Sequence, residues 1–213
     1  GCSGFVSGLQ IVSALLNNTG GKALLLCGDG KYYNARECTS TDAMLFGDAG
    51  TATAIELKED YPLLYAQKTD GTRHKMLTTA LDGTMTMDGN GILLFSLNEV
   101  VDSIKEMKDH FRLEEGQIDY YVFHQAQKLI IDSMTSECEI DPRKVLISYE
   151  EYGNTSTASI PLTICHNAKT LKENKKVRLY LCGFGIGLAW SNVVIELEQE
   201  AIMPVESVSY THL

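Results

Sequence analysis

The chain has 213 residues, 44% of them hydrophobic, and its 18 basic and 28 acidic side chains give a net charge of −10. This length and composition are typical of one large or two small globular domains with a sizeable core. The acidic balance argues against nonspecific nucleic-acid binding, which needs clustered Lys and Arg. The sequence has no apolar run of the roughly 20 residues that a membrane span requires. It also opens without a charged-then-apolar leader, so nothing in it indicates secretion.

The six cysteines form no CxxC pair, and with the five histidines they make no zinc-ligand pattern. Most lie in apolar stretches, where a free thiol behaves as a small hydrophobic group. This usage indicates the reducing cytosol and predicts no bound metal. The six are Cys2, Cys27, Cys38, Cys138, Cys165 and Cys182.

The first elements alternate between helix and strand. Residues 2–18 carry apolar side chains at helical spacing, and a pair of glycines ends this helix. Residues 22–27 form a short apolar run that predicts a buried strand. A glycine-broken segment over residues 44–55 leads into a strand of small and β-branched residues, and residues 61–68 predict another strand. The helical stripe consists of Phe5, Val6, Leu9, Val12, Leu15 and Leu16.

Residues 69–91 are rich in Gly, Thr and Asp and predict an irregular excursion. Beyond them helix and strand alternate again, which favours an α/β fold with a mainly parallel sheet and helices packed on it. Helices are expected over 97–111, 126–138 and 157–171, and strands over 118–123, 145–148, 177–182 and 188–197. The tail from Ser207 continues no pattern and resembles translated adapter sequence, so we exclude it from the fold.

Cys2 stands at the start of the first predicted helix, among the small residues Gly1, Ser3 and Gly4. A helix N-terminus lowers the pKa of a thiol by stabilising its thiolate. Small neighbours also let a substrate carbonyl reach the sulfur. Cys2 is therefore a candidate nucleophile, although a buried structural cysteine fits the same position.

His124 follows the strand predicted over 118–123, which places it at the carboxyl edge of the sheet, where open α/β sheets have their sites. Asn154 lies in the loop Gly153-Asn154-Thr155-Ser156, ahead of a helix. A ring nitrogen and an amide donor are the groups that support a cysteine nucleophile. Each residue also has a structural alternative. His124 could be a packed or capping histidine, and Asn154 could be a helix N-cap.

The segment Gly183-Phe184-Gly185-Ile186-Gly187 lies between two predicted strands. A dinucleotide-binding fingerprint requires a strand, a turn and then a helix, so this pattern is not one. A tight turn that offers a backbone N–H to an oxyanion fits better.

In their order these motifs closely resemble the ketosynthase III branch of the thiolase superfamily, the β-ketoacyl-acyl-carrier-protein synthase III enzymes and their relatives. The resemblance runs from Gly1 to about Leu197. Cys-His-Asn separates this branch from elongating ketosynthases, which use Cys-His-His, and from thiolases, which use Cys-His-Cys. The motifs that carry it are Gly1-Cys2-Ser3-Gly4-Phe5, Phe46-Gly47-Asp48-Ala49-Gly50, Met87-Asp88-Gly89, His124-Gln125-Ala126, Gly153-Asn154-Thr155-Ser156-Thr157-Ala158-Ser159 and the final glycine-rich turn with Trp190.

The resemblance implies that an acyl thioester acylates Cys2, with the backbone N–H groups of Cys2 and Ile186 around the oxyanion. A malonyl thioester then binds, and His124 and Asn154 donate hydrogen bonds to its thioester carbonyl as CO₂ leaves. The enolate attacks the acyl group to give a β-ketoacyl thioester. The pocket residues implied are Phe184, which would shield the departing carboxylate, Gly185 and Ile186.

No metal or redox cofactor is implied. The implied substrates are an acyl-CoA and a malonyl thioester on an acyl carrier protein, and the implied assembly is a homodimer. The acyl chain and the pathway, whether fatty-acid initiation or another lipid, stay open.

The implied fold is thiolase-like, with αβαβα layers, and we expect its N-terminal part to be missing. Residues 1–68 would be the remainder of the N-terminal half, 69–96 an irregular connection, 97–198 the C-terminal half and 199–213 a tail. Because the strand before Cys2 would be absent, we expect this piece alone to be inactive.

Three departures from the family pattern stand out. The helix after His124 keeps Lys128 but has Leu129, Ser136 and Glu137 at positions that are often basic and that grip a carrier protein. Residues 39–44 lack the arginine that would pack on a coenzyme A adenine. Ile186 replaces an expected glycine. The first two departures leave open which acyl donor and which carrier the protein uses, and the third changes the shape of the pocket.

Two alternatives remain. The same Cys-His-Asn set would serve an acyltransferase that forms an ester or amide without decarboxylation. A catalytically silent dimer partner of an active ketosynthase is the other, although such partners usually lose the cysteine. A hydroxymethylglutaryl-CoA synthase-like role is disfavoured because no added acid/base carboxylate is found.

Overall fold

A computed structural model describes residues 1–30, 45–58, 62–80, 85–171 and 175–207. Residues 39–44, which lack the adenine-packing arginine of the family pattern, and the end of the tail lie outside this part. The first elements are α1 (Gly4–Thr19), β1 (Lys22–Asp29), β2 (Ala49–Glu56), β3 (Leu64–Thr69), β4 (Leu77–Thr79) and β5 (Met85–Met87). A nearly continuous helix follows, made of α2 (Gly89–Phe95), a π-helical turn (Ser96–Val100) and α3 (Val101–Phe111).

The remaining elements are β6 (Tyr120–Phe123), α4 (Lys128–Glu137), α5 (Tyr149–Tyr152), α6 (Ser159–His166), α7 (Ala168–Leu171), β7 (Lys176–Gly185) and β8 (Ala189–Glu198). Short 3₁₀ segments precede β4, β6, α5 and α6 and follow β8. None of the helices in the described part of the chain has the length and apolarity to span a bilayer.

The central sheet has four strands in the order β3-β8-β7-β6. Among the strands of the described residues, only β6 and β7 pair in parallel, whereas β3 with β8, β7 with β8 and β1 with β2 are antiparallel. The prediction of a mainly parallel sheet was therefore wrong. The short turn over 186–188 forces β7 and β8 into an antiparallel hairpin, because a parallel pair needs a long crossover. The helical segment between β6 and β7 supplies such a crossover.

The side chains of the central sheet alternate between two hydrophobic clusters, as the pleat requires. On one face, Val122 and Leu181 pack with Phe5 of α1 and Ile160 of α6. On the other, Tyr121, Phe123 and Tyr180 pack with side chains from α2, α3 and α4. The β1–β2 pair covers the opposite side of α1 and α6. The described chain thus contains the successive layers β, α, β and α of the predicted αβαβα fold.

The outer face of β1 is open, which corrects the prediction of a buried strand over 22–27. Alternate residues are half-buried, and the others are exposed. Leu24 and Leu26 have exposed fractions of 62% and 67%, and they pair with Ala54 and Ala52 of β2. On α1, Leu15 is likewise exposed at 60%, so it does not belong to the buried stripe.

Three further predictions need correction. Residues 145–148 form no strand, because Val145 makes only an isolated bridge to Tyr121. Residues 69–91 contain a 3₁₀ turn and the short β4–β5 hairpin rather than an irregular excursion. The helix predicted over 157–171 is divided in two at Asn167, whose side-chain amide donates to the carbonyls of Ile147 and Thr163.

A backbone tie joins the segment before β2 to the loop that carries Asn154. The N–H of Asn154 donates to the carbonyl of Leu45 at 2.8 Å, and the N–H of Gly47 donates to the carbonyl of Asn154 at 3.1 Å. A Cβ on Gly47 would overlap the carbonyl oxygen of Tyr152. Only glycine fits this close approach.

We therefore expect Gly47→Ala to reduce the free energy of unfolding by roughly 1–3 kcal/mol, as overpacking does. Gly116→Ala is the matched control, because a Cβ there meets nothing within 4 Å and should change stability by no more than about 0.5 kcal/mol. Urea unfolding of the protein that carries this chain measures both. Equal stability of the two variants would contradict the tie.

Candidate active site

One pocket brings together the three residues that the motifs single out, although they are far apart in sequence. Cys2 comes from the segment before α1, His124 from the end of β6 and Asn154 from the loop before α6. The glycine-rich turn contributes Phe184, Gly185 and Ile186. The other lining residues are Leu45, Phe46, Leu77, Met87, Gly89, Ile92, Ala126, Gln127, Ile130 and Ser156.

Cys2 is held against the end of β7 by glycines in that strand. A Cβ on Gly185 would lie 3.0 Å from Cys2 Cβ and 3.2 Å from Cys2 Sγ, and one on Gly183 would lie 3.0 Å from Ser3 Cα. Side chains at these positions would push the first turn of α1 away. The absence of side chains there therefore lets the thiol reach the carboxyl end of the sheet, where it is 8% exposed.

His124 is fixed on both its backbone and its ring. Its N–H donates to the carbonyl of Cys182 at 2.8 Å, which extends the β6–β7 ladder by one bond. Its Nδ1 lies 2.7 Å from Ser159 Oγ. Its ring meets that of Phe184 edge to face, with centroids 5.5 Å apart. With Nδ1 occupied, Nε2 is the ring nitrogen available to a substrate.

Asn154 has a defined amide orientation. Its Oδ1 accepts a hydrogen bond from the N–H of Ser156 at 2.9 Å. The amide oxygen is thereby satisfied, and the Nδ2 donors are left for the pocket. Asn154 is buried, with 6% exposed. The Oδ1 contact is the local bond of an Asx turn ahead of α6, and it leaves the Nδ2 group able to donate to a substrate oxygen.

Electrostatics set Cys2 apart from the other described cysteines. Burial raises the pKa of the Cys2 thiol, but the charge and hydrogen bond of His124, a hydrogen bond from Ser156 and the charge of the Gly1 amino group together outweigh it and lower the pKa from 9.0 to about 7. Ser156 Oγ lies 3.6 Å from Cys2 Sγ. Burial instead raises the pKa values of Cys27, Cys138, Cys165 and Cys182.

The sequence motifs did not reveal several residues of this site. Ser156 and Ser159 stand in the quoted loop motif, but only their contacts with Cys2 and His124 give them a place in the site. Leu77, which stands in none of the quoted motifs, lines the pocket from β4, beside Met87 of β5. The available signal for Leu77 was an apolar side chain in an otherwise polar stretch.

Two family profiles match the chain. The profile described as 3-oxoacyl-(acyl-carrier-protein) synthase III matches residues 1–71, and that of the C-terminal domain of the same enzyme matches residues 109–197. The β-ketoacyl-(acyl-carrier-protein) synthase III of Streptococcus gordonii is 31% identical over 213 residues, which covers 92% of this chain and 66% of that protein. Its counterpart in Streptococcus thermophilus is 32% identical over 92% of this chain and 65% of that protein. The chain thus spans about two thirds of the length of these relatives.

Solved structures of 3-oxoacyl-(acyl-carrier-protein) synthases also superpose on this chain. A 3-oxoacyl-(acyl-carrier-protein) synthase from Burkholderia xenovorans superposes with a TM-score of 0.89 at 26% identity, over 97% of this chain and 65% of that one. The β-ketoacyl-(acyl-carrier-protein) synthase III of Thermus thermophilus gives a TM-score of 0.83 at 28% identity, over 92% and 65%. The chain therefore belongs to the 3-oxoacyl-(acyl-carrier-protein) synthase III family, the ketosynthase III branch of the thiolase superfamily.

Proposed function

We propose that the protein is a condensing enzyme. It joins an acyl group held on Cys2 to a malonyl thioester with loss of CO₂ and gives a β-ketoacyl thioester, the type of reaction that initiates fatty-acid or related lipid synthesis. The observation that carries the proposal is the shared pocket, in which a low-pKa thiol meets the side chains of His124 and Asn154. A nucleophile and two neutral donors are what the two half-reactions need.

In the first half-reaction the Cys2 thiolate attacks the carbonyl carbon of an acyl thioester. A carbon–sulfur bond to Cys2 forms, and the donor's sulfur leaves as a thiolate that takes a proton. The backbone N–H groups of Cys2 and Ile186 hold the oxyanion of the tetrahedral intermediate. The proximity of the turn to Gly1 supports this role, because a Cβ on Gly1 would lie 3.6 Å from Ile186 N.

In the second half-reaction, Nε2 of His124 and Nδ2 of Asn154 donate to the thioester carbonyl of the malonyl substrate. The bond to the carboxylate breaks, CO₂ leaves, and the electron pair forms an enolate. Its carbon attacks the acyl carbonyl on Cys2, a carbon–carbon bond forms, and the Cys2 thiolate is the leaving group. The chain's own donors carry the enolate's charge, and the proposal requires no metal or redox cofactor.

The polarity of the pocket favours decarboxylation. Among the residues that the structure describes, no Asp, Glu, Lys or Arg lines it, and most lining side chains are apolar. A carboxylate without a counter-ion in such surroundings is poorly solvated, and loss of neutral CO₂ removes that charge. Phe184, packed on His124, keeps water from the enolate. The same lining suits an uncharged, apolar acyl chain.

The carrier and the assembly are also proposals. The relatives' names give acyl carrier protein as the carrier, which supports a malonyl group delivered in that form, with acyl-CoA as the first substrate. On α4, Lys128 is paired with Asp132 at 2.8 Å, and the adjacent Leu129 is exposed at 57%. This helix face would therefore bind a carrier by fewer ionic contacts than a basic face. A homodimer and a cytoplasmic location remain predictions.

The acidity of Cys2 gives a direct test of the nucleophile. Its alkylation by iodoacetamide should rise with pH through a midpoint of about 7, because the thiolate is the reactive form. In His124→Ala the midpoint should move upward, since burial still raises the pKa while the main stabilising partner is lost. Cys2→Ser controls for the slow labelling of the other thiols. A wild-type midpoint near that of a free thiol would contradict an activated Cys2.

Variants of the two donors should separate the half-reactions. We expect His124→Ala and Asn154→Ala to become acylated yet to lose malonyl decarboxylation by roughly 10²-fold or more, as when an oxyanion donor is removed. His110→Ala, on the exposed side of α3, is the matched control. The assay measures CO₂ release and β-ketoacyl thioester separately from acylation. Near wild-type condensation in both variants would contradict the donor roles, and acylation without any use of malonyl thioester would favour the acyltransferase.

A further inference from the structure

The side of His124 that faces away from the pocket contacts a buried serine. His124 Nδ1 and Ser159 Oγ are 2.7 Å apart, and the two residues are 2% and 1% exposed. Ser159 is the first residue of α6, and its carbonyl accepts a hydrogen bond from Thr163 Oγ1 at 2.7 Å. The serine is thus attached to its own helix through its backbone, which leaves its hydroxyl for His124.

A polar network continues behind this pair and returns to the strand that carries His124. Ser148 Oγ lies 2.7 Å from Thr163 Oγ1. The threonine hydrogen is already donated to a carbonyl, so the serine hydroxyl is the donor in this contact. The N–H of Ser148 donates to Gln125 Oε1 at 2.8 Å, and Gln125 Nε2 donates to the carbonyl of Phe123 at 2.8 Å.

All these network side chains are neutral and nearly inaccessible to solvent. Gln125, Ser148, Thr163 and Ser159 are each at most 3% exposed. Among the residues that the structure describes, no charged side chain hydrogen-bonds any of them. A carboxylate behind a histidine would stabilise the protonated ring, whereas a network of hydroxyls and an amide does not.

The hydrogen on Ser159 Oγ determines the tautomer of the ring. Within the described residues, His124 Nδ1 is the one group that hydrogen-bonds this hydroxyl. If Nδ1 carried a hydrogen and donated it, the hydroxyl hydrogen would be buried without an acceptor, which is unfavourable. If the hydroxyl donates to Nδ1, every hydrogen in this contact has a partner. The second arrangement requires a neutral ring with its hydrogen on Nε2.

We infer that Ser159 is a positioning residue that holds neutral His124 with its hydrogen on Nε2, pointed into the pocket as a hydrogen-bond donor. This inference rests on the proposed condensation, in which Nε2 donates to the malonyl thioester carbonyl. The loop orients Asn154 by an equivalent device, since the N–H of Ser156 occupies Oδ1. Ser156 and Ser159, three residues apart, thus orient the two proposed donors, which line the same pocket.

The tautomer can be read directly by nitrogen-15 NMR of histidine-labelled protein at roughly pH 8, above the usual titration of histidine. The Cys2→Ala variant is the starting protein, because it removes the thiolate that would pair with a protonated ring. His124→Gln in that background identifies the His124 signals among those of the five histidines. We expect protonated Nε2 and unprotonated Nδ1. Protonated Nδ1 would overturn the inference, whether or not further variants fold.

Ser159→Ala in the same background should give averaged signals of both tautomers. Ser103→Ala is the matched control, because Ser103 is also a buried serine with a side-chain partner, Asn192 Nδ2 at 2.6 Å, but lies outside the pocket lining. This control should keep the Nε2–H signature. An unchanged signature in Ser159→Ala would overturn the role of the serine.

With Cys2 present, Ser159→Ala should slow malonyl decarboxylation by about 10-fold to 100-fold, the cost of a loosely placed donor. Ser103→Ala should keep the wild-type rate. Equal rates in both variants would contradict the inference. A wild-type protein that never consumes malonyl thioester would instead overturn the proposed condensation, and the tautomer measurement would still stand.

Discussion

The contact between Cys2 and the end of β7 is the constraint on which the site depends. Cys2 belongs to the segment before α1, whereas His124 directly follows β6 and Asn154 lies in the loop before α6. These parts meet because Gly183 and Gly185 have no side chains, so the first turn of α1 packs directly on the strand. Protein interiors are too closely packed to accommodate an extra Cβ at such distances. The thiol is consequently buried beside the groups that would act on its acyl form.

Burial alone would make this thiol less acidic, as it does for Cys182 in the core. Cys2 differs because burial brings it next to His124 and Ser156, and their interactions outweigh the desolvation. The same dry surroundings strengthen hydrogen bonds to a developing enolate. One environment therefore serves both half-reactions, first by stabilising a thiolate and then by presenting neutral donors. The uncharged network behind His124 is consistent with this second task.

Much of the fold and of the candidate site could be predicted from the sequence. The glycine pair after α1, the apolar run before His124 and the two final strands appear close to their predicted bounds, because each has a local signal in spacing or turn residues. The motif order also identified the family, and Cys2, His124 and Asn154 line the same pocket. Which strand pairs with which is not a local property. The alternation of helix and strand suggested parallel pairing, but the tight turn at Ile186 makes β7 and β8 a hairpin.

Local sequence patterns also could not predict which side chains are buried or which distant segments are in contact. The apolar run over residues 22–27 suggested burial on both faces; Leu24 and Leu26 are exposed because the described chain holds four of the five layers and no described element packs on this side of β1. The contact between Ser159 and His124 joins residues 35 positions apart and depends on how α6 meets β6. Leu77 and Met87 line the pocket because they lie on the β4–β5 hairpin. The polar composition of residues 69–91 did not predict this hairpin.

The central claim is that the acyl group is carried by Cys2. The most direct measurement is peptide mapping by mass spectrometry after the protein that contains this chain is incubated with a short acyl-CoA. The account predicts a mass increase of one acyl group on the peptide that contains Cys2, and no such adduct in Cys2→Ser. An adduct on another residue, or one that persists unchanged in Cys2→Ser, would contradict it.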